Sequence, residues 1–244
     1  MVKEIDVVIT MGGIGSRFRK VGYLIPKYMI EVKNKTLFEW SMISLEGYRK
    51  QIDRYIFIVM KDNACDVEAF VHSKCREIGL TNYYVITLDY LTDGQATTAM
   101  LADKYWNPDH ALLIYNIDTY VEAGEMKSSE LKGDGFIPCF QAVGDHWSFV
   151  RLDESGKVVE IKEKKRISNY CTVGAYYFRT CRLYKDLYNE FYGKKKDLVI
   201  GEKYVAPLYD YLLKNGGEIY ISDINPSKVH VLGTPEELQT FLEE

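Results

Sequence analysis

No two of the five cysteines (Cys65, Cys75, Cys139, Cys171 and Cys181) stand at CxxC spacing, which argues against a zinc ribbon or a redox motif. Their odd number and wide spacing predict reduced thiols in a cytoplasmic protein. No apolar run approaches the ~18 residues of a membrane span. The amino-terminal MVKEIDVVITMGG carries charges in its first six residues and lacks a long apolar core, so it does not read as a signal peptide. An excess of positive charge is also missing. The 31 Lys and Arg against 35 Asp and Glu give a net charge of −4, unlike a nucleic-acid-binding surface. No nucleic-acid or membrane partner is therefore expected. There is no GxxxxGK[ST] loop, no completed GxGxxG, no GxSxG elbow and no Cys–His pairing, so neither a P-loop nor a protein nucleophile is indicated.

What is present is ordinary for a folded α/β chain. At 244 residues, area scaling predicts that about 73% of the extended-chain surface is buried, enough for one domain with a sizeable core. Apolar runs rich in β-branched residues predict strands at 5–11, 55–60, 84–88 and 111–117. Helical spacing predicts helices at 36–48, 67–78 and 97–105 between them. This alternation implies βαβ units and a parallel sheet, with ligands at the carboxyl ends of the strands. The second half is less regular. Strands are expected at 136–143, 149–152, 158–162, 172–179 and 219–224, and helices at 184–192, 205–214 and 235–242. The working division is one domain, 1–244, with halves 1–120 and 121–244.

Three motifs fall at the predicted strand ends. Met11 to Phe18 reads MGGIGSRF. Glycines let backbone N–H groups approach phosphate oxygens, and Arg17 can donate a bidentate fork to a phosphate. Lys27 follows in IPKYM as a point charge suited to a triphosphate. From the glycines alone a plain strand-to-helix turn is equally good. Asp93-Gly94-Gln95 is a turn before a helix. Asp118 ends a buried strand, where a carboxylate must be solvated, paired or metal-bound. Mg²⁺ takes one or two carboxylates with phosphate oxygens, so Asp118 is the leading metal ligand and a cap the alternative. Near the end, Thr234, Pro235 and Glu237 form a capping-box pattern that accounts for GTPEE structurally.

GGIGSRF followed by IPKYMIEVKNKTLFEWSM resembles the sugar-phosphate nucleotidyltransferases, whose pattern runs GGxGTRLxP and then PKxMxxVxGKPxL. The resemblance implies a Rossmann-like, three-layer, glycosyltransferase-A-like fold with a mainly parallel mixed sheet. It implies transfer of NMP from an NTP, with CTP or UTP favoured, to a phosphorylated small-molecule acceptor such as a sugar 1-phosphate. Pyrophosphate leaves, and surface polysaccharide synthesis is the expected setting. Non-sugar acceptors (phosphocholine, a polyol phosphate) and a non-catalytic nucleotide sensor are the alternatives, and a homo-oligomer is left open.

Residue by residue, Met11, Gly12, Gly13, Gly15, Ser16 and Arg17 would wrap the triphosphate. Asp93, Gly94 and Gln95 would face the nucleoside, and Lys27 would offset charge on the reacting phosphates. Glu163-Lys164 matches the family's acid–base pair, with Lys165 in place of proline. That implies Glu163 toward an acceptor hydroxyl and Lys164 toward its phosphate, with Asn169 and Gly174 on the strand that follows. By composition alone this charged run reads as a solvated hairpin. The resemblance also implies Mg²⁺ at Asp118. Many members carry a second acid two positions before the GTPE glycine; here that position is Val231, leaving Asp223 as the other candidate.

Overall fold

The computed structural model describes residues 3–193 and 201–244; residues 1–2 of the charged amino-terminal run lie outside the described residues. The chain opens with β1 (Ile5–Met11), which is buried along nearly its whole length. Such a strand needs parallel neighbours and cover on both faces. The short helix α1 (Ser16–Lys20) follows, then a small hairpin of β2 (Glu31–Val32) and β3 (Lys35–Thr36), and then α2 (Leu37–Ile43). Next come β4 (Ile52–Met60), α3 (Val67–Glu77), β5 (Tyr83–Leu88), α4 (Gln95–Met100) and β6 (Ala111–Asn116). β6, β1, β4 and β5 lie side by side, all parallel.

After β6 the short β7 (Thr119–Val121) leaves the sheet. The sheet then grows from the other edge of β6 through β8 (Gly135–Gln141), β9 (Ser148–Leu152), β10 (Val158–Glu163), β11 (Tyr170–Thr172) and β12 (Ala175–Phe178). Outward from β6 the order is β12, β8, β11, β9, β10, antiparallel at every step. Helices α5 (Cys181–Tyr192) and α6 (Ala206–Lys214) precede β13 (Ile219–Ile224), which pairs in parallel with β8 and completes a 10-stranded sheet. Finally β14 (Val229–Val231) pairs with β7, and α7 (Pro235–Glu243) follows.

Alternation along β1 divides the core. Ile5, Val7 and Ile9 pack with α2 and α3, through Phe38, Met42, Val67 and Val71. Val8 faces α4, α5 and α6, through Ala96, Ala99, Tyr184 and Leu208. Sheet and two helical layers make the three-layer α/β architecture. A third, smaller cluster joins Phe18, Ile30 and Leu37 to Leu232, Leu238 and Phe241. It holds α7 against the segment after β1, beside the carboxyl ends of the strands.

Several boundaries differ from the sequence reading. The helix expected at 36–48 ends at Ile43 and continues as a 3-10 turn at Glu46–Tyr48. The helix expected at 97–105 starts earlier, at Gln95, and passes into a 3-10 turn at Leu101–Lys104. The strand expected at 172–179 is two strands, β11 and β12, split at Gly174. Gly174 has φ 79, and a Cβ there would lie 2.7 Å from the Asn116 side-chain nitrogen, so only glycine fits. No helix among the described residues is long and apolar enough to cross a membrane.

Candidate active site

A cleft of about 480 Å³ lies over the carboxyl ends of β1 and β6, within the usual size of a small-ligand site. Met11, Gly12 and Gly13 form one wall. A Cβ on Gly13 would meet nothing within 4 Å, so the backbone there is open to the cleft. Arg17, on α1, lines the cleft and has no ion-pair partner among the described residues. Its neighbour Arg19 is committed elsewhere, to Asp62 and the Leu24 carbonyl. Gly15 and Ser16 stand outside the lining. Gly15 is the N-cap of α1 at φ 63, and it turns the chain so that Arg17 reaches the cleft.

Lys27 begins a 3-10 turn after Pro26, whose fixed φ presets the approach. Its ammonium donates to Asp118 Oδ2 at 2.7 Å, and both side chains are partly exposed to the cleft. Burial by itself would raise the Asp118 carboxyl. The Lys27 ammonium, helped by Arg17, overcomes this and holds it below the usual carboxylate range. Asp118 is fixed from behind by the β7–β14 ladder: Val231 pairs with Thr119, and the Leu232 N–H donates to the Asp118 carbonyl at 2.8 Å. Val231 itself lines the cleft as an apolar residue.

Gln95 and Gly94 line the cleft beside Asn116; the Gln95 amide donates to Thr10 Oγ1 at 3.3 Å and to Asn116. Asp93, read from the sequence as facing the nucleoside, lies outside the lining. Its carboxylate pairs with Lys203 at 2.7 Å, and that pairing holds it below its ordinary value against the opposing effect of burial. The backbone repeats the contact. The Lys203 N–H donates to the Asp93 carbonyl at 2.6 Å, and the Lys203 carbonyl accepts from the Ala96 N–H at 2.9 Å. Gly94 sits between, at φ 140. A Cβ on it would lie 2.4 Å from the Lys203 carbonyl oxygen. Asp93 and Gly94 thus tie residues 202–204 to the rim, where Glu202 and Tyr204 join the lining.

The opposite wall carries Glu163 and Lys164. The charged run around them is sorted by its partners. Lys162 pairs with Asp210 at 3.3 Å, and Arg166 lies over the Phe149 ring at 4.7 Å. Between them Lys164 takes a left-handed backbone, φ 52, unusual for a residue with a side chain. Its N–H donates to the Trp147 carbonyl at 2.9 Å, and its ammonium donates to the Tyr204 hydroxyl. Burial raises the Glu163 carboxyl above its usual value, although a hydrogen bond from Ser148 works the other way. Ser148, Tyr176 and Thr172 form a hydroxyl chain beside it, with links of 3.2 and 3.1 Å. Gly174 lines the cleft, but Asn169 is exposed and does not.

Asp223 also falls away from the cleft. It is exposed on β13 and accepts from Gln141 at 3.1 Å, so it cannot complete a site at Asp118. The capping box expected at α7 is only half formed. The Glu237 N–H donates to Thr234 Oγ1 at 3.1 Å, whereas the Glu237 side chain lines the cleft. A separate cluster, Asp6, Asp53 and His110, lies at the amino end of β1, where Arg54 and His110 compensate the buried Asp6. Sequence reasoning missed Lys203, Tyr204, Trp147 and Ser148. They carry no motif: Trp147 and Ser148 come with the start of β9, and Tyr204 with the loop before α6 that Lys203 ties to Asp93.

No family model matches the chain, and no curated protein matches it. Solved structures do. The nucleoside-diphosphate-sugar pyrophosphorylase from Vibrio cholerae RC9 is 34% identical, with a TM-score of 0.88 over 98% of this chain and 100% of that one. The inositol-1-phosphate CTP transferase from T. maritima shares the fold at 16% identity and a TM-score of 0.77, over 99% and 97% of the two chains. The CTP:phosphocholine cytidylyltransferase from Streptococcus pneumoniae does so at 13% and 0.72, over 98% of each. A full-length match at this identity, together with a glycine loop, Lys27 and Asp118 at one set of strand ends, means that the chain belongs to the sugar-phosphate nucleotidyltransferase family and is an enzyme that transfers NMP from an NTP to a phosphorylated acceptor.

Proposed function

We propose that the NTP lies along Met11–Gly13 with its triphosphate toward Arg17 and Lys27, and that the acceptor phosphate lies toward Lys164. Residues 1–120 then form the nucleotide half and 121–244 the acceptor half. The observation that carries this reading is the arrangement of charge. Arg17 and the Lys27–Asp118 pair stand at the ends of β1 and β6, and Lys164 faces the same cleft from the end of β10. An acceptor phosphate oxygen attacks the α-phosphorus in line, the bond to the β-phosphate oxygen breaks, and pyrophosphate departs. Anionic groups crowd together in this step, so positioning and preorganised positive charge supply the catalysis. Arg17 holds the leaving pyrophosphate, Lys27 offsets charge on the α-phosphate, and Lys164 aligns the attacking phosphate.

Asp118 fits a divalent cation such as Mg²⁺, because its carboxylate lines the cleft on the triphosphate side. When bound there, the ion offsets charge on the phosphate oxygens. CTP or UTP is the proposed donor and a sugar 1-phosphate the proposed acceptor, in surface polysaccharide synthesis. Five free thiols, four of them buried, support a reducing cytoplasmic setting. The second reading keeps the reaction but takes a non-sugar phosphate; the aromatic side chains of Trp147, Tyr176 and Tyr204 in the acceptor wall favour it.

The test is a matrix of four NTPs against phosphorylated sugars, phosphocholine and polyol phosphates, read by pyrophosphate release. One pyrimidine NTP with one sugar 1-phosphate is expected to dominate. Release with phosphocholine or a polyol phosphate alone would establish the second reading. No release with any pair, alongside tight NTP binding, would replace both with a nucleotide sensor.

A further inference from the structure

The pattern T-x-x-E occurs before two helices, and the two glutamates behave differently. Before α2 the box closes. The Thr36 N–H and hydroxyl donate to Glu39 Oε2 at 2.8 and 2.7 Å, the Glu39 N–H donates back at 3.3 Å, and Lys74 pairs with the same oxygen at 3.2 Å. Before α7 the carboxylate leaves the cap. Glu237 Oε2 is buried and has no hydrogen-bond partner among the described residues. A buried carboxylate oxygen without a donor is costly, and native structures seldom keep one without a reason.

Its position supplies the reason. Glu237 lines the cleft with Asp118. Both carboxylates border Gly233, where a Cβ would lie 3.4 Å from Glu237 Oε2 and 3.5 Å from Asp118 Oδ2. The β7–β14 ladder and the Phe18–Leu238 cluster hold this arrangement from two sides. Two carboxylates beside phosphate oxygens are what a hard divalent cation selects. The position expected to hold the second acid, residue 231, is a valine on the same wall.

We propose that Glu237, from the first turn of α7, is the second carboxylate ligand of the divalent cation. It does the work that Val231 cannot. This rests on the reading that Asp118 is the first ligand. The helix-capping half of the motif stays with Thr234, so one short segment serves both the fold and the ion.

Mn²⁺ binding in the presence of a non-hydrolysable NTP analogue, followed by electron paramagnetic resonance, tests the assignment without turnover. Glu237→Gln is expected to weaken Mn²⁺ binding about 10-fold or more, a loss of ~1.4 kcal/mol. Asp118→Asn should do so as well. Val231→Asp added to Glu237→Gln should restore most of the affinity. Thr234→Ala should lower the melting temperature and leave Mn²⁺ binding alone, which separates the capping role from the ligand role. Wild-type Mn²⁺ affinity in Glu237→Gln, with loss in Asp118→Asn, would overturn the proposal and keep the site. Wild-type affinity in both variants would overturn the site as well.

Discussion

Lys27 and Asp118 are 91 residues apart in sequence, yet the lysine Nζ donates to the carboxylate at 2.7 Å. Each group sets the other's environment. Lys27→Ala should lower kcat for pyrophosphate release by ~10²-fold or more, the usual effect of deleting one preorganised donor. The Asp118 carboxyl should rise in the same variant, because the charge that holds it down is gone. In the wild type its depressed value means that the pair contributes stability above the unfolded carboxylate range and loses it as pH falls through the folded value. Carboxyl titration by NMR checks the shift, and near-normal turnover in Lys27→Ala would count against its role.

Glu163 titrates in the opposite sense. Its carboxyl is raised by burial, so the folded state holds that proton more tightly than the unfolded chain does. Its ionisation opposes folding progressively as pH rises from the ordinary carboxylate range through the raised value. Glu163→Gln is therefore expected to raise Tm at neutral pH by roughly 2 °C. The gain should vanish below the ordinary carboxylate range, where both states are protonated. Thermal melts across that range decide the matter, and a gain independent of pH would argue against this account.

Asp93 and Lys203 form a clamp on the cleft rim, and Asp93 does not line the cleft. Asp93→Asn should loosen Glu202 and Tyr204, which line the cleft beside Lys164, on the side proposed for the acceptor. The KM for the acceptor should rise by roughly three-fold or more, with kcat and the KM for the NTP little changed. A selective rise in the KM for the NTP would return Asp93 to a nucleotide-binding role.

Gly94→Ala tests the same contact from the backbone. The new Cβ would lie 2.4 Å from the Lys203 carbonyl oxygen, on a backbone at φ 140 that residues with side chains rarely adopt. Strain and overpacking together should cost about 2–4 kcal/mol, which corresponds to a Tm lower by roughly 5–10 °C. Unchanged melting would mean that the two segments separate readily in solution.

Thiol chemistry gives an independent check of the core. Burial pushes the Cys75 thiol up to about 12 and raises Cys139, Cys171 and Cys181 as well. Cys65 alone is partly exposed. Iodoacetamide at neutral pH should label Cys65 first, with the other four protected until unfolding, as read by peptide mass spectrometry.

The βα alternation of the first half is legible in the residues alone, and so is the placing of Met11–Arg17, Lys27 and Asp118 at the strand ends. These are local properties: apolar period, glycine spacing and a buried strand that must stop. It also marked Val231 as a departure from the family pattern. The partner that each polar side chain takes depends on the packing of distant segments. Asp93 faces Lys203, 110 positions later, and Asp223 turns outward from an added strand. Lys164 enters the cleft because its backbone turns left-handed between two anchored cations. Glu237 and Glu39 share one motif, yet among the described residues only Glu39 has a lysine beside it and a closed cap. Short-range patterns fix where a carboxylate sits along a helix. What surrounds it is set by segments that strand order and core packing bring in from far along the chain.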